Sequence, residues 1–342
     1  MKDGAPLRLK IFFWIILGAL STFFAEVLAG SDLFPFFHLW GLLIVFPLYS
    51  LHILVLGHVV FRYGKPVFYV LYPAGLIFGL YEAYITKVLW NPDWNIGALR
   101  LGGVAVVEFI VLVFFWHAVM SFVVPIVVGQ SVLTKTRTSA DSLPDRLKKL
   151  LRKRKAFWCF GIAAVFYGMC QSVNSVSVLQ SIASGLSTVF VVALLVFIWR
   201  RFTSGKDYEM QSLMPGKMAF RILLALLVLL YGFLFFTFRP EALPGISSQA
   251  TIWAAYAVFF VLLYLGLRKS RKTPTVTVFE TGLRFSLKTV LVLALIFTFS
   301  SAAMKLLLET GSVFFAWISF LVFGIIGIAL FIWALKHVLR KG

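Results

Sequence analysis

The stretch Ile222-Leu-Leu-Ala-Leu-Leu-Val-Leu-Leu-Tyr-Gly-Phe-Leu-Phe-Phe-Thr-Phe238 holds no charge and no alternation of polar with apolar side chains, and Arg221 and Arg239 close it at both ends. A strand of a transmembrane barrel would alternate over ~10 residues, so this run excludes that architecture. In hydrocarbon the backbone must satisfy its own hydrogen bonds, which a helix does within one segment. The rest of the chain repeats the pattern. Of 342 residues, 61% are hydrophobic and 13% charged, with a mean hydropathy of +0.95. Soluble domains run nearer half apolar and a quarter charged, so a cytosolic enzyme is excluded. At ~20 apolar residues per crossing the composition fills roughly ten spans. They are read near 11–30, 39–61, 66–89, 100–129, 157–176, 179–199, 219–238, 249–267, 286–307 and 312–335. The expected fold is an all-α, polytopic transmembrane helical bundle.

Charge sets the orientation. Counted in alternate loops, 28 of the 32 basic residues fall on one side, and only Lys87, Arg100, Arg239 and Lys305 fall on the other. Lysine and arginine collect in cytoplasmic loops, so both termini read as cytoplasmic and the net charge of +19 is first a topology signal. Nine basic residues lie between Lys135 and Lys155. From Ser142 to Lys155 the pattern is a short helix with Pro144 in its first turn and Leu147, Leu150 and Leu151 on one stripe. Such a helix lies on the inner leaflet against anionic lipids, and nucleic acid is not the expected partner. The chain divides on this reading into a four-helix segment, 1–134, a basic linker, 135–156, and a six-helix segment, 157–342. The expected location is a prokaryotic plasma membrane. Lys2, Arg8 and Lys10 before an apolar run, with Val27-Leu28-Ala29 ahead of Gly30, also fit a cleaved signal peptide. Glu26 opposes that reading, and the stretch is long enough to be the first span.

Cys159 and Cys170 share a helix about 16 Å apart and cannot bridge. No metal-ligand spacing, phosphate-binding glycine loop or nucleophile elbow is present, so no cofactor or metal is expected.

Ionisable side chains inside a membrane are costly and face the protein interior, which makes each a functional candidate. Glu26, His52, His58, Glu82, Glu108 and His117 all fall in the first four helices. Helix direction sets Glu26, Glu82 and Glu108 at similar depth in the outer half and His117 near mid-membrane. Gly75 and Gly79 form a Gly-x-x-x-Gly pair on the flank that also carries Glu82, so that face should pack closely on another helix. His117 and Ser121 share a face at four-residue spacing, with Pro125 four further on. His58 reads as interfacial. Tyr81, Tyr84, Trp90 and Trp94 read as an aromatic belt around a snorkelling Lys87, and the polar run Gln171 to Thr188 as hydrogen bonding between two helices.

Two resemblances rest on these residues. Ala25-Glu26-Val27-Leu28-Ala29-Gly30-Ser31, then Gly79-Leu80-Tyr81-Glu82 through Lys87 to Asn91-Pro92-Asp93-Trp94, then His117-Ala118 through Ser121 to Pro125, resembles an uncharacterised family of prokaryotic multi-pass proteins. Glu82 and His117 are also faintly similar to the CAAX-protease and bacteriocin-processing family, the glutamic intramembrane proteases. In that family paired glutamates followed by arginine activate a water and histidines on later helices assist. Here Tyr81 stands for the first glutamate, Lys87 falls five after Glu82, Val113 stands where phenylalanine would, and Ser121 replaces the asparagine four after the histidine. The resemblance implies an intramembrane hydrolase with catalytic Glu82 and His117, oriented by Glu26 or Glu108. A proton- or cation-coupled transporter using Glu26, Glu82 and Glu108, or a non-catalytic scaffold or lipid-handling protein, stays open beside it.

Overall fold

The computed structural model describes residues 5–94, 97–134, 154–203, 206, 208–272, 287–307 and 312–340. The basic stretch 135–153 lies outside the described residues. In chain order the helices are α1 (Leu7–Val27), α2 (Gly41–Tyr63), α3 (Phe68–Gly79), α4 (Tyr81–Tyr84), α5 (Val106–Leu133), α6 (Arg154–Asn174), α7 (Val178–Thr203), α8 (Met210–Leu213), α9 (Lys217–Thr237), α10 (Ile246–Lys272), α11 (Leu287–Leu307) and α12 (Ser312–Leu339). The protein is an all-α polytopic bundle. Among the described residues eight helices are long and apolar enough to cross a membrane: α1, α2, α5, α6, α7, α9, α10 and the Trp317–Leu339 part of α12.

Three local departures from the expected spans have physical causes. The stretch read at 66–89 is not one helix. Pro73 lies within α3, which stops at Gly79, and Leu80 turns with ψ near zero before the single turn of α4. The stretch read from residue 100 opens instead as a two-residue antiparallel hairpin, Arg100–Leu101 with Val104–Ala105. Gly102 and Gly103 both take positive φ, 56° and 81°, as a tight hairpin turn requires. The third departure is pitch: Phe109–Val123 within α5 is π-helical, ending two residues before Pro125.

The described chain gathers into two compact units of interleaved segments. One comprises Met1–Ser50, Val124–Met214 and Val276–Ser319, the other Leu51–Val123, Pro215–Thr275 and Phe320–Gly342. Within the first, small residues let helices close in: a Cβ on Gly168 of α6 would stand 2.3 Å from Phe297 O of α11, and one on Gly185 of α7 would stand 2.5 Å from Thr298 Oγ1. Hydrogen bonds knit α6 to α7 as the polar run suggested, with Gln171 Nε2 donating to Ser184 Oγ at 2.7 Å and Ser175 paired with Ser181 at 2.6 Å.

Within the second unit α3 lies against the π-helical part of α5. A Cβ on Gly75 would meet Ala118 O at 2.5 Å and Ala118 Cα at 2.7 Å, and one on Gly79 would meet Val113 Cα at 2.9 Å. The Gly-x-x-x-Gly pair therefore packs as its spacing predicts. Gly75→Ala should lower stability by about 1–2 kcal/mol, since overpacking against immovable backbone outweighs the ~1 kcal/mol gain in helix propensity. Gly232→Ala in α9, with nothing within 4 Å of the added methyl, should lose nothing. Thermal unfolding of both variants in detergent compares them, and equal melting temperatures would refute the close-packing account.

Candidate functional site

The approach of α3 to α5 at Gly79 brings Glu82, two residues past the break at Leu80, onto His117. A Cβ on Gly79 would stand 3.2 Å from His117 Cβ, and His117 Nε2–H donates to Glu82 Oε1 at 2.7 Å. On the other side of the ring, Ser121 Oγ lies 3.0 Å from His117 Nδ1. With Nε2–H directed to the carboxylate, Nδ1 is an acceptor for the serine hydroxyl, whose oxygen also lies 3.4 Å from Trp116 O. All three are buried: Glu82 is 6%, His117 2% and Ser121 0% exposed. Thr86 Oγ1 donates to Glu82 Oε2, and the Tyr81 hydroxyl donates to the same carboxylate. A charge held away from water is sustained only by such donors.

A second polar group faces the same rings. His52 of α2, buried, pairs through Nε2 with the Tyr231 hydroxyl of α9 at 2.9 Å, and Tyr231 is hydrogen-bonded to Tyr256 of α10. The Phe78 ring lies between the two imidazoles, stacked on His52 at 4.5 Å and on His117 at 6.0 Å. Tyr81 stands 4.8 Å from His117 and 5.6 Å from His52. Five helices, α2, α4, α5, α9 and α10, thus supply polar groups to one region of the second unit. Sequence reading noted His52 but gave it no role, and it missed Tyr231, which sits inside the apolar stretch that identified the spans.

The remaining sequence candidates lie as follows. Glu108 is buried at the start of α5. In an α-helix nine residues would set it half a turn from His117. A π-helix returns to one face about every 4.4 residues, so the wider pitch turns position 108 toward the flank that carries His117. Glu26 belongs to the first unit, in the π-helical end of α1, where Tyr49 Oη donates to Oε1 at 2.6 Å and Ser31 Oγ to Oε2 at 2.5 Å. His58 is buried: its Nδ1–H donates to Pro215 O at 2.6 Å and its ring stacks on Phe220. Among the described residues no three His, Cys, Asp or Glu side chains form a metal-binding group.

The expected aromatic belt is corrected as well. Trp94 is exposed, but Trp90 and Tyr81 are buried, and Lys87 is 0% exposed rather than snorkelling. Lys87, at φ +58°, donates from Nζ to Leu234 O at 2.9 Å, to Phe235 O at 3.1 Å and to Phe238 O, which close the C-terminal end of α9. Arg239, at φ +50°, returns the grip: it donates to Thr86 O at 3.1 Å, to Asn91 O at 2.8 Å and to Asp93 Oδ1 at 2.6 Å. This clamp ties the chain just after Glu82 to the helix that carries Tyr231.

Fold and site together define a polytopic α-helical membrane protein with a buried carboxylate–imidazole–hydroxyl chain. Compared with known proteins, the chain matches over residues 15–341 a family described as an uncharacterized membrane protein family, and it belongs to that family. An uncharacterized protein of the archaeon Archaeoglobus fulgidus is 35% identical over 258 residues, covering 75% of this chain and 78% of its own length. No solved structure matches the chain.

Proposed function

We propose that the protein is an intramembrane hydrolase of the cell membrane, with Glu82 and His117 as its acid–base pair. The observation that carries this reading is the 2.7 Å contact of His117 with Glu82, both nearly solvent-free, with His117 on a helix apolar enough to span. In the reaction Glu82 takes a proton from water as the water oxygen attacks an acyl carbon. The scissile bond then breaks, and the leaving group receives that proton through His117. Tyr231, held by His52, supplies a hydroxyl donor for the developing oxyanion. Glu108 is the further acidic residue to be tested for an orienting role. The basic segment 135–155 holds the chain to anionic headgroups of the inner leaflet.

The test is proteoliposomes of the wild type and of Glu82→Gln and His117→Gln supplied with a library of membrane-anchored peptides and acyl lipids in heavy-oxygen water. The expected result is a product that carries the heavy oxygen with wild type and is lost in both folded variants. Turnover at the wild-type rate in both would end the proposal. No turnover by wild type, with pH-gradient-driven flux that depends on Glu82, would move the pair to a proton-coupled carrier instead.

A further inference from the structure

We propose that the C-terminal ends of α2, α10 and α12, which meet in the second unit, form a seat for the phosphate headgroup of one anionic membrane lipid. Each of these helices contains a candidate span, and their shared end is the one that the lysine and arginine count reads as cytoplasmic. The stretches 62–65, 268–272 and 336–340 there carry eight lysines and arginines. No aspartate or glutamate occurs from 33 to 81, from 242 to 279 or from 310 to 342. A helix C-terminus offers cations only about half a negative charge, so most of this positive charge is unmatched within the fold.

Hydrogen bonds fasten the three ends to one another. Arg271 Nε donates to Tyr63 O at 2.5 Å, and Lys65 N donates to Ser270 Oγ at 3.1 Å. A Cβ on Gly64 would stand 2.6 Å from Leu267 Cδ2, so α10 closes on the turn that follows α2. On the other flank of α10, Lys269 Nζ donates to His337 O at 2.5 Å and to Arg340 O at 2.7 Å, at the end of α12. At roughly 100° per residue around a helix, Arg268 and Lys272 fall between these two flanks and face outward, and both are exposed. Arg271 spends Nε on Tyr63 and keeps the outer edge of its guanidinium for a ligand. Two arginines and a lysine thus stand together on a fixed helix end. Guanidinium groups bind phosphate through paired, charge-assisted hydrogen bonds.

The surface next to the seat selects a lipid over a soluble anion. Tyr264 and Val261 precede Arg268 by four and seven residues, on the same face of α10, and both are exposed. An apolar stripe therefore runs from the cations toward the depth of the hydrocarbon. A diester phosphate held by Arg268, Arg271 and Lys272 lays its acyl chains along that stripe, which a free phosphate would leave uncovered. Basic surfaces at the cytoplasmic ends of spanning helices bind lipid headgroups in this way.

The measurement is native mass spectrometry of the purified full chain in nonionic detergent, titrated with phosphatidylglycerol or phosphatidylcholine. The expected result is one phosphatidylglycerol retained per chain in preference to phosphatidylcholine. Arg268→Gln combined with Lys272→Gln should weaken that binding by about 30-fold, the usual gain from two cations at a lipid surface. Arg200→Gln combined with Lys206→Gln removes the same charge from exposed positions of the first unit on the same side and should leave binding unchanged. Equal weakening by both pairs would mean that total charge alone attracts the lipid, and would overturn the seat. Displacement of phosphatidylglycerol by inorganic phosphate would assign the cations to a soluble anion and overturn it too. Should a variant fail to fold, the wild type decides: equal retention of the two lipids rejects the site.

Discussion

Glu82→Gln is expected to lower turnover by about 10²–10⁴-fold, the usual contribution of a positioned acid or base, while the protein stays folded. The amide keeps the side chain's volume and can still bond His117 and Thr86, so packing at Gly79 is undisturbed. It cannot accept a proton from water. His117→Gln is expected to cost a similar factor for the complementary reason, since it keeps a polar group beneath Gly79 but cannot relay a proton. Because the two groups act as one unit, the double variant should be little slower than either single variant. Ser121→Ala should cost less, as the hydroxyl only fixes which ring nitrogen carries the proton. The measurement is initial rate in the proteoliposome assay with unfolding temperature recorded for each variant. Multiplicative losses in the double variant would mean that Glu82 and His117 do not work as a pair.

The sequence carried the helices and the close packing of α3 because composition and spacing are local signals. Gly75, Gly79 and Glu82 lie on one flank whatever the partner helix is, so their packing could be expected before any contact was known. Pitch is not local in that way. A π-helical Phe109–Val123 has the same composition as an α-helix, and only its wider turn relates Glu108 to His117. Tyr231 was hidden for another reason: in an apolar run a tyrosine reads as filler, and its hydroxyl acquires meaning only beside His52, far away along the chain. The division at 134 and 156 follows charge along the chain, whereas the compact units interleave segments, a property no linear composition scan contains.

The charge count also held a clue in its exceptions. Of the four basic residues that the loop count puts on the side poor in lysine and arginine, three meet around one loop. Lys87 and Arg239 form the clamp, and Arg100 Nη2 donates to Asn91 Oδ1 at 3.4 Å. All three have a structural task next to Glu82, in the segment that follows it.

Lys87→Met is therefore expected to destabilise the second unit by on the order of 3 kcal/mol. The methionine fills similar volume, but the carbonyls of Phe235 and Phe238 lose the cation that satisfies them, and that of Leu234 keeps only the bond from Phe238 N–H. Charge-assisted bonds contribute about 1.5–3 kcal/mol each, and buried acceptors left unmade cost about 1–3 kcal/mol, so the loss exceeds that of an ordinary cap. The positive φ adds nothing to this loss, because lysine and methionine carry the same left-handed strain. Lys87→Gly relieves the strain and loses the same bonds, so it should fall between wild type and Lys87→Met. Arg239→Ala separates the two halves of the clamp: it gives up an ion pair with Asp93, whose side chain is 70% exposed and which contributes at most about 1 kcal/mol, and bonds to Thr86 O and Asn91 O that water at this more exposed end replaces. Denaturant unfolding followed by tryptophan fluorescence should rank the proteins as wild type, Arg239→Ala, Lys87→Gly, Lys87→Met in falling stability. If Arg239→Ala cost more than Lys87→Met, the clamp would be held by the exposed ion pair and not by the cation buried at the end of α9.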